Sequence, residues 1–330
     1  MIFNMLESIN KILICGLGSI GLRHARIFKS LGVKEVLAYS TGKSTLKPDN
    51  SIEINKKFND LDAALKEGPD LVVISNPTSL HLETLSSIMP FNKHTLIEKP
   101  LCDTASYWNS KIKELKRKKT MKIAVGYHMR FHPLIIDVKK IIETHKLGRP
   151  IRARGAWHAW CPDWHPWEDH KGSYVCRRDL GGGAMLTLSH EINYLQWLFG
   201  EFKHARADSS RFSFLDTGVD EASILTIMHE SKVISELSLD LFSHNTRRDL
   251  EIFFTNGYIK IDFLKNILKI KDIKEKETEV KRIDGFDIDK TYLEQAKQMD
   301  KYITRGEKGN LCTYDESILD LKLISTAQKF

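Results

Sequence analysis

The sequence predicts an α/β fold: a doubly wound parallel sheet, followed by an α+β domain built on an open, mostly antiparallel sheet. Residues 11–126 alternate short apolar runs with amphipathic stretches, whereas residues 222–263 set strands in a block. A chain of 330 residues also exceeds the usual single core, so two domains are expected. The boundary is placed at 126, giving domains over 1–126 and 127–330.

The first apolar run, Ile12–Cys15, leads into Gly16-Leu-Gly18-Ser-Ile-Gly21 and then a helix whose apolar face reads Ile20, Ile27, Phe28 and Leu31. Glycines so spaced between strand and helix make a dinucleotide-binding turn of Rossmann type. Gly16 makes the tight bend, Gly18 lets the pyrophosphate approach the backbone, and Gly21 lets helix and strand lie close. The helix start, with Ser19 and Ile20, offers free N–H groups and a positive dipole end to phosphates. Glu35–Tyr39 reads as the second strand. About 20 residues past the glycines, where NAD enzymes usually keep an acid for the ribose hydroxyls, stands Ser40-Thr41-Gly42-Lys43-Ser44. Hydroxyls and a lysine hold a 2′-phosphate that a carboxylate would repel, so NADP is favoured over NAD. The competing reading is a polar loop that meets the cofactor through its backbone.

The alternation continues with a helix near Leu61–Lys66, a strand Leu71–Ser75, a helix His81–Met89, a strand Thr95–Glu98, a helix Ala105–Lys118 and a strand Lys122–Gly126. Ligands of open α/β sheets bind at the C-terminal ends of the strands. At those ends stand Asn76-Pro77 with His81 beyond, Glu98-Lys99-Pro100, and Tyr127-His128-Met-Arg130-Phe-His132-Pro133.

A helix near Leu134–Thr144 precedes Ile151–Trp160, a strand with Arg152 and Arg154 on one face. The loop Trp160–Tyr174 is rich in rings and charges, as binding lids are. Aromatic rings stack on sugar faces and carboxylates accept hydroxyl hydrogen bonds, so Asp163, Trp164, His165 and Tyr174 suit a carbohydrate. Cys161, His165, His170 and Cys176 are ligand types, but their spacing matches no standard zinc pattern and no metal is expected. Gly181–Gly183 then leads into a helix Ala184–Phe199, stopped at Gly200. Strands are expected at Ala222–His229, Ser235–Phe242, Asp249–Thr255 and Tyr258–Phe263, with Asn256-Gly257 as a hairpin turn. Helices near Lys290–Thr304 and Glu316–Gln328 complete the pattern.

With 42% hydrophobic and 28% charged residues the chain is neither disordered nor membrane-like. No apolar run approaches the ~18 residues of a membrane span, and the first residues lack a basic region before an apolar one. A cytoplasmic protein is expected. The five cysteines are scattered, with no C-x-x-C pair, which argues against a disulfide framework. The net charge of +7 is partly concentrated in Lys111–Lys119. That run lacks interleaved aromatic rings and reads as a solvated helix end, not a nucleic-acid surface. An anionic small substrate accounts for the remaining bias equally well, with Arg130, Arg152, Arg154, Arg177 and Arg178 able to meet a phosphate or carboxylate.

Taken together, Gly16–Gly21 with His24, Asn76-Pro-Thr-Ser-Leu-His81, Glu98-Lys99-Pro100-Leu101, Arg130-Phe-His-Pro133, and Gly181-Gly-Gly with His190-Glu-Ile-Asn193 resemble the Gfo/Idh/MocA family of oxidoreductases. The likeness covers nearly the whole length. It implies a nucleotide-binding domain plus a C-terminal domain whose sheet covers the active site and makes subunit contacts, hence a homodimer or homotetramer. Lys99 matches the family's catalytic lysine and His190 its active-site histidine. Oxidising a secondary alcohol needs a hydride acceptor and a base for the hydroxyl proton. A lysine beside the cationic nicotinamide gives up its proton readily, and His190 can share it or hold the hydroxyl.

The resemblance thus implies a hydride transfer between NAD(P) and a secondary hydroxyl or keto group of a sugar or nucleotide sugar. Cofactor contacts fall to Gly16, Gly18, Ser19, Ile20, Gly21, Ser40, Thr41, Lys43, Asn76, Pro77, His81, Glu98 and Lys99. Substrate contacts fall to Arg130, Asp163, Trp164, His165, Tyr174, Thr187 and His190. Glycoside cleavage with tightly bound NAD and non-enzymatic dinucleotide sensing are the alternatives. The aromatic loop resembles that of members linked to bacterial surface-sugar biosynthesis. Many relatives carry an aspartate three or four positions before the histidine, where this chain has Leu186 and Thr187. Asn193 likewise stands where an aspartate is common. Orientation of His190 is therefore expected from Glu191, Asp163 or Asp169, or is weaker than in those relatives.

Overall fold

The computed structural model describes residues 6–42, 54–104, 120–276 and 278–327. The expected helix Ala105–Lys118, the basic run Lys111–Lys119 and the pair Lys43-Ser44 lie outside the described residues. The chain divides into two compact units: one takes in the chain through His128 together with Asp289–Ile318, the other Met129–Ile288 and the chain from Leu319.

In the first unit β1 (Lys11–Cys15), β2 (Glu35–Tyr39), β3 (Lys56–Phe58), β4 (Leu71–Ile74), β5 (His94–Ile97) and β6 (Ile123–Val125) run parallel, and β15 (Cys312–Thr313) joins β6 antiparallel. The order is β15-β6-β5-β4-β1-β2-β3. Without its edge strand this is the doubly wound dinucleotide-binding order, whose direction of winding reverses between β1 and β4. Every residue of β4, and Ile12–Cys15 of β1, is buried, as a sheet covered on both faces requires. Helix α1 (Ser19–Ser30) buries Gly21, Leu22, His24, Ala25, Ile27 and Phe28, while Ile20 is only half-buried. Helices α2 (Leu61–Lys66) and α3 (His81–Ile88) follow. The sequence reading missed β3, a short edge strand whose two lysines are exposed.

The second unit holds an eight-stranded sheet ordered β14-β13-β12-β11-β7-β10-β9-β8. Its members are β7 (Pro150–Trp160), β8 (Phe202–Ser210), β9 (Ala222–His229), β10 (Ile234–Asp240), β11 (Phe242–Phe254), β12 (Gly257–Asp262), β13 (Ile267–Asp272) and β14 (Thr278–Arg282). All pairs are antiparallel except β7 with β10. One face carries Ala153, Leu225, Leu237, Leu250, Ile252 and Ile259 into the core shared with α4 (Pro133–Glu143) and α6 (His190–Phe199). On the other face Glu236 lies between Arg154, at 3.4 Å, and Arg152, at 4.0 Å, so these arginines share a face as expected and pair with a glutamate there. The missed strands β8, β13 and β14 include both edges of the sheet. Polar outward residues protect an edge and blur its period, and β14 is exposed throughout.

Three expectations need correction. The helix expected over Ala184–Phe199 is two helices, α5 (Ala184–Thr187) and α6, broken at Leu188-Ser189. Thr187 and Ser189 are weak helix formers that compete for backbone hydrogen bonds, and the break makes His190 the first residue of α6. The hairpin turn is Thr255-Asn256, one residue earlier than expected, because Gly257 already pairs with Phe254 and Asp272. A Cβ at Gly257 would lie 2.1 Å from the Lys271 carbonyl oxygen, so this glycine serves close strand approach.

The third correction concerns the domain limits, since residues 289–318 return to the first unit. There α7 (Asp289–Arg305) packs on α1, with Arg23 Nε 3.0 Å from Asp289 Oδ1, and Asp300 accepts from the backbone N–H groups of Glu7 and Ser8 at 2.6 and 2.9 Å. The last helix, α8 (Tyr314–Ala327), spans the division. Among the described residues no helix is long and apolar enough to cross a membrane.

Candidate active site

The glycine turn is built as the spacing demands. Gly16 has φ +104°, and a Cβ there would lie 2.7 Å from the Asn76 backbone nitrogen. A Cβ at Gly21 would fall 2.0 Å from the Gly16 carbonyl oxygen, whereas one at Gly18 meets nothing within 4 Å. Two glycines therefore permit the packing of turn, helix and β4, and the third leaves the backbone open on its outer side. Ser75, at the end of β4, donates through Oγ to the Gly16 carbonyl at 2.9 Å. Helix α1 starts at this turn with no side-chain cap and no acidic residue in its first turn. Ser19 is exposed there. Free N–H groups, an open backbone and a positive helix end at the switch point of the sheet fit a dinucleotide pyrophosphate.

At the end of β2, the Ser40 N–H donates to the Phe58 carbonyl and its Oγ accepts from Gly42 N–H at 3.2 Å, with Thr41 exposed. Tyr39–Gly42 carries no carboxylate.

The neighbouring strand ends are tied to one another. His81 is buried, with Nε2 2.9 Å from the Asn76 carbonyl and Nδ1 2.9 Å from the Pro100 carbonyl, so it clamps the loop after β4 to the loop after β5. Burial pushes the His81 imidazole below its ordinary value against the pull of those carbonyls. Asn76 is half-buried beside Pro77 and donates to Thr84 Oγ1 at 2.8 Å; its Oδ1 has no hydrogen-bond partner among the described residues. Glu98 is buried beneath Lys99: Oε1 lies 2.7 Å from His24 Nε2, and Oε2 accepts the Lys99 backbone N–H at 3.2 Å. Burial would raise the Glu98 carboxyl, but the His24 hydrogen bond and the charges of His24 and Lys99 hold it below the ordinary range. A Cβ at Gly126 would touch this carboxylate at 3.0 Å. Lys99 itself is half-buried and precedes a cis Pro100.

In the second unit His190, 3% exposed, opens α6, and Thr187 ends α5 just before it. The N-terminus of α5 is fixed by Asp220, which accepts from Met185 N–H at 3.1 Å and sits where any side chain at Gly183 would clash. Glu191 is fully buried and accepts from Arg248 Nε at 2.7 Å. Arg248 lies 3.7 Å above the Trp157 ring, and Trp157 is 6.5 Å from the His190 ring and 6.2 Å from Trp164. Trp157 thus has both His190 and Trp164 of the aromatic loop as ring neighbours.

The other expected substrate residues are dispersed. Asp163 is exposed, and Asp169 caps the backbone N–H of Lys171 at 3.0 Å. His165 Nδ1 lies 3.0 Å from both Ser173 Oγ and Glu168 Oε1, and Tyr174 is half-buried. Arg130 is buried with Nε donating to Asn193 Oδ1 at 2.8 Å, which makes it part of the scaffold of α6. Asn193 in turn donates to Asp320 Oδ2 at 2.6 Å, and Gln196 donates to Asp320 Oδ1 at 2.7 Å. Asparagine at 193 follows from this pairing, since an aspartate could not donate to Asp320.

Cys161 and Cys176 are buried with their sulfurs 3.6 Å apart, and His170 Nε2 lies 3.0 Å from the Leu215 carbonyl. Sequence reasoning missed Trp157, Asp220, Arg248 and Asp320. All four act through partners distant in the chain, and only the inward phase of Trp157 on β7 left a local signal.

Residues 10–127 match the model of the oxidoreductase family, NAD-binding Rossmann fold, and residues 135–260 match the GFO/IDH/MocA C-terminal domain. Inositol 2-dehydrogenase of Salmonella paratyphi B is 23% identical over 220 residues, 65% of this chain and 62% of that protein. The chain thus spans about 62% of the length of that curated relative. The scyllo-inositol 2-dehydrogenase (NAD(+)) of Bacillus subtilis is 32% identical over 147 residues, 43% of this chain and 42% of that protein. Among solved structures, levoglucosan dehydrogenase in complex with NADH and levoglucosan superposes with a TM-score of 0.83 over 97% of each chain at 18% identity.

Proposed function

The chain belongs to the Gfo/Idh/MocA family of oxidoreductases, and from that premise we propose that it is an NAD(P)-dependent dehydrogenase or reductase acting on a secondary CH–OH group of a sugar, polyol or nucleotide sugar. The observation that carries the reading is the turn at Gly16, Gly18 and Gly21. Its open backbone lies beside an uncapped helix start, at the switch point of the first sheet. The curated relatives named for inositol oxidation, and the structural neighbour bound to levoglucosan, support a polyhydroxylated substrate. The absence of a carboxylate over Tyr39–Gly42 favours NADP over NAD.

The bound dinucleotide supplies the hydride acceptor or donor. Lys99 takes the hydroxyl proton during oxidation and returns it during reduction, standing at a strand end fixed by the Glu98–His24 pair. His190 holds the reacting hydroxyl. Trp164 and Tyr174 offer ring faces to the sugar.

The test is nicotinamide absorbance during turnover across a panel of myo-inositol, scyllo-inositol, levoglucosan and nucleotide sugars. The reading predicts stoichiometric cofactor reduction or oxidation with at least one of them. In Lys99→Met, kcat falls by about 10²–10⁴-fold. Turnover unaffected by Lys99→Met would refute the assigned mechanism.

A further inference from the structure

Arg248, on the inner face of the second sheet, and Glu191, on α6, have side chains only 12% and 0% exposed. Arg248 of β11 is the direct cross-strand partner of Trp157 of β7, and its guanidinium carbon lies 3.7 Å from the indole centroid. The Phe263 ring stands 5.7 Å from the same carbon. Glu191 fixes the guanidinium through Nε, and Nη2 has no hydrogen-bond partner among the described residues. The indole that this cation covers is also the ring neighbour of His190, at 6.5 Å and 32°, and of Trp164, at 6.2 Å and 30°. A buried ion pair returns about what its desolvation costs, so stability alone does not account for it; an apolar pair of equal volume would hold the sheet as well. What an apolar pair would not do is fix a planar cation against one indole face.

We propose that Glu191 and Arg248 are a positioning pair that sets the His190 imidazole through Trp157. Glu191 acts on its neighbour by the route through Arg248 and the indole. The proposal rests on the reading of His190 as an active-site group.

The experiment is proton–carbon NMR of protein labelled at the histidine ring carbon, with the His190 signal assigned by His190→Asn. Arg248→Met, Arg248→Lys and Glu191→Gln are then compared with the wild type. The proposal expects the His190 signal to shift or broaden in all three variants while the His81 signal, from the other unit, stays in place. With scyllo-inositol as probe it expects kcat to fall about tenfold to hundredfold, with NADH affinity retained. An unmoved His190 signal in folded Arg248→Met overturns it. If that variant does not fold, Arg248→Lys decides by the same signal, since lysine keeps the charge and loses the flat stack. A signal that moves while His190→Asn leaves turnover intact upholds the positioning role and refutes the active-site reading of His190.

Discussion

Glu98 and His24 meet at 2.7 Å beneath the loop that carries Lys99, joining the end of β5 to the middle of α1. The pair is buried, and Tyr292 of α7 packs its ring edge-on against His24 at 5.5 Å. One carboxylate therefore couples the glycine-turn helix to the strand end that presents the lysine.

Removing His24 leaves Glu98 buried and uncompensated, so His24→Ala should destabilise the protein by about 3 kcal/mol. The Glu98 carboxyl lies below its ordinary value in the folded state. Its contribution is thus fully present above the unfolded value of ~4.3 and is lost as pH falls through the native value. Glu98→Gln should flatten the acid limb below that point in urea unfolding at stepped pH. An unchanged limb would contradict the pairing.

His132 titrates in a different window. Burial, joined by the Arg248 charge and opposed by a hydrogen bond with Asn266, pushes its imidazole down to about 4. Between the unfolded value of ~6.5 and about 4, the unfolded chain binds a proton that the native state refuses, so stability falls with falling pH. The full effect is about 3 kcal/mol. His132→Asn should remove this slope, which unfolding free energies between these pH values will show.

The glycines divide by what a methyl group would meet. Gly18→Ala should leave stability within about 0.5 kcal/mol, because its backbone is extended and its surroundings are open. The same methyl stands where a pyrophosphate would approach and should weaken NADH binding about tenfold. Gly21→Ala places a Cβ 2.0 Å from the Gly16 carbonyl oxygen and should cost about 1–3 kcal/mol. Thermal midpoints and cofactor titrations of the two variants separate the effects.

Asn193→Asp removes the donor that Asp320 accepts and sets two buried carboxylates against each other. A loss of about 3 kcal/mol is expected. Asp320→Asn in the same chain should recover much of it, and a double-mutant cycle that shows no coupling would contradict the geometry.

Much of this was legible in the sequence where the signal is local. The alternation in 11–126 foretold the parallel sheet because buried strands there are continuous apolar runs such as Leu71–Ile74. The spacing of Gly16 and Gly21 foretold a tight bend and a close helix, as the approaches of 2.7 Å at Gly16 and 2.0 Å at Gly21 show. Edge strands were harder: Phe202–Ser210 buries only Ala205 and Ala207, too small to mark a period. The split at Leu188-Ser189 escaped notice because apolar spacing runs on through it.

The supporting groups were least legible. The bond from Arg130 to Asn193 was not foreseen, and Arg248 drew no attention because its partners, Glu191 and Trp157, are 57 and 91 residues away. Buried ion pairs are decided by tertiary proximity, which a sequence without its fold does not display.

The account's central claim is that the turn at Gly16–Gly21 binds a nicotinamide dinucleotide. Calorimetric titration of the full chain with NADH and NADPH tests it most directly. The account predicts saturable binding at one site per chain, tighter for NADPH and weakened in Gly18→Ala. Folded protein that binds neither cofactor would contradict it.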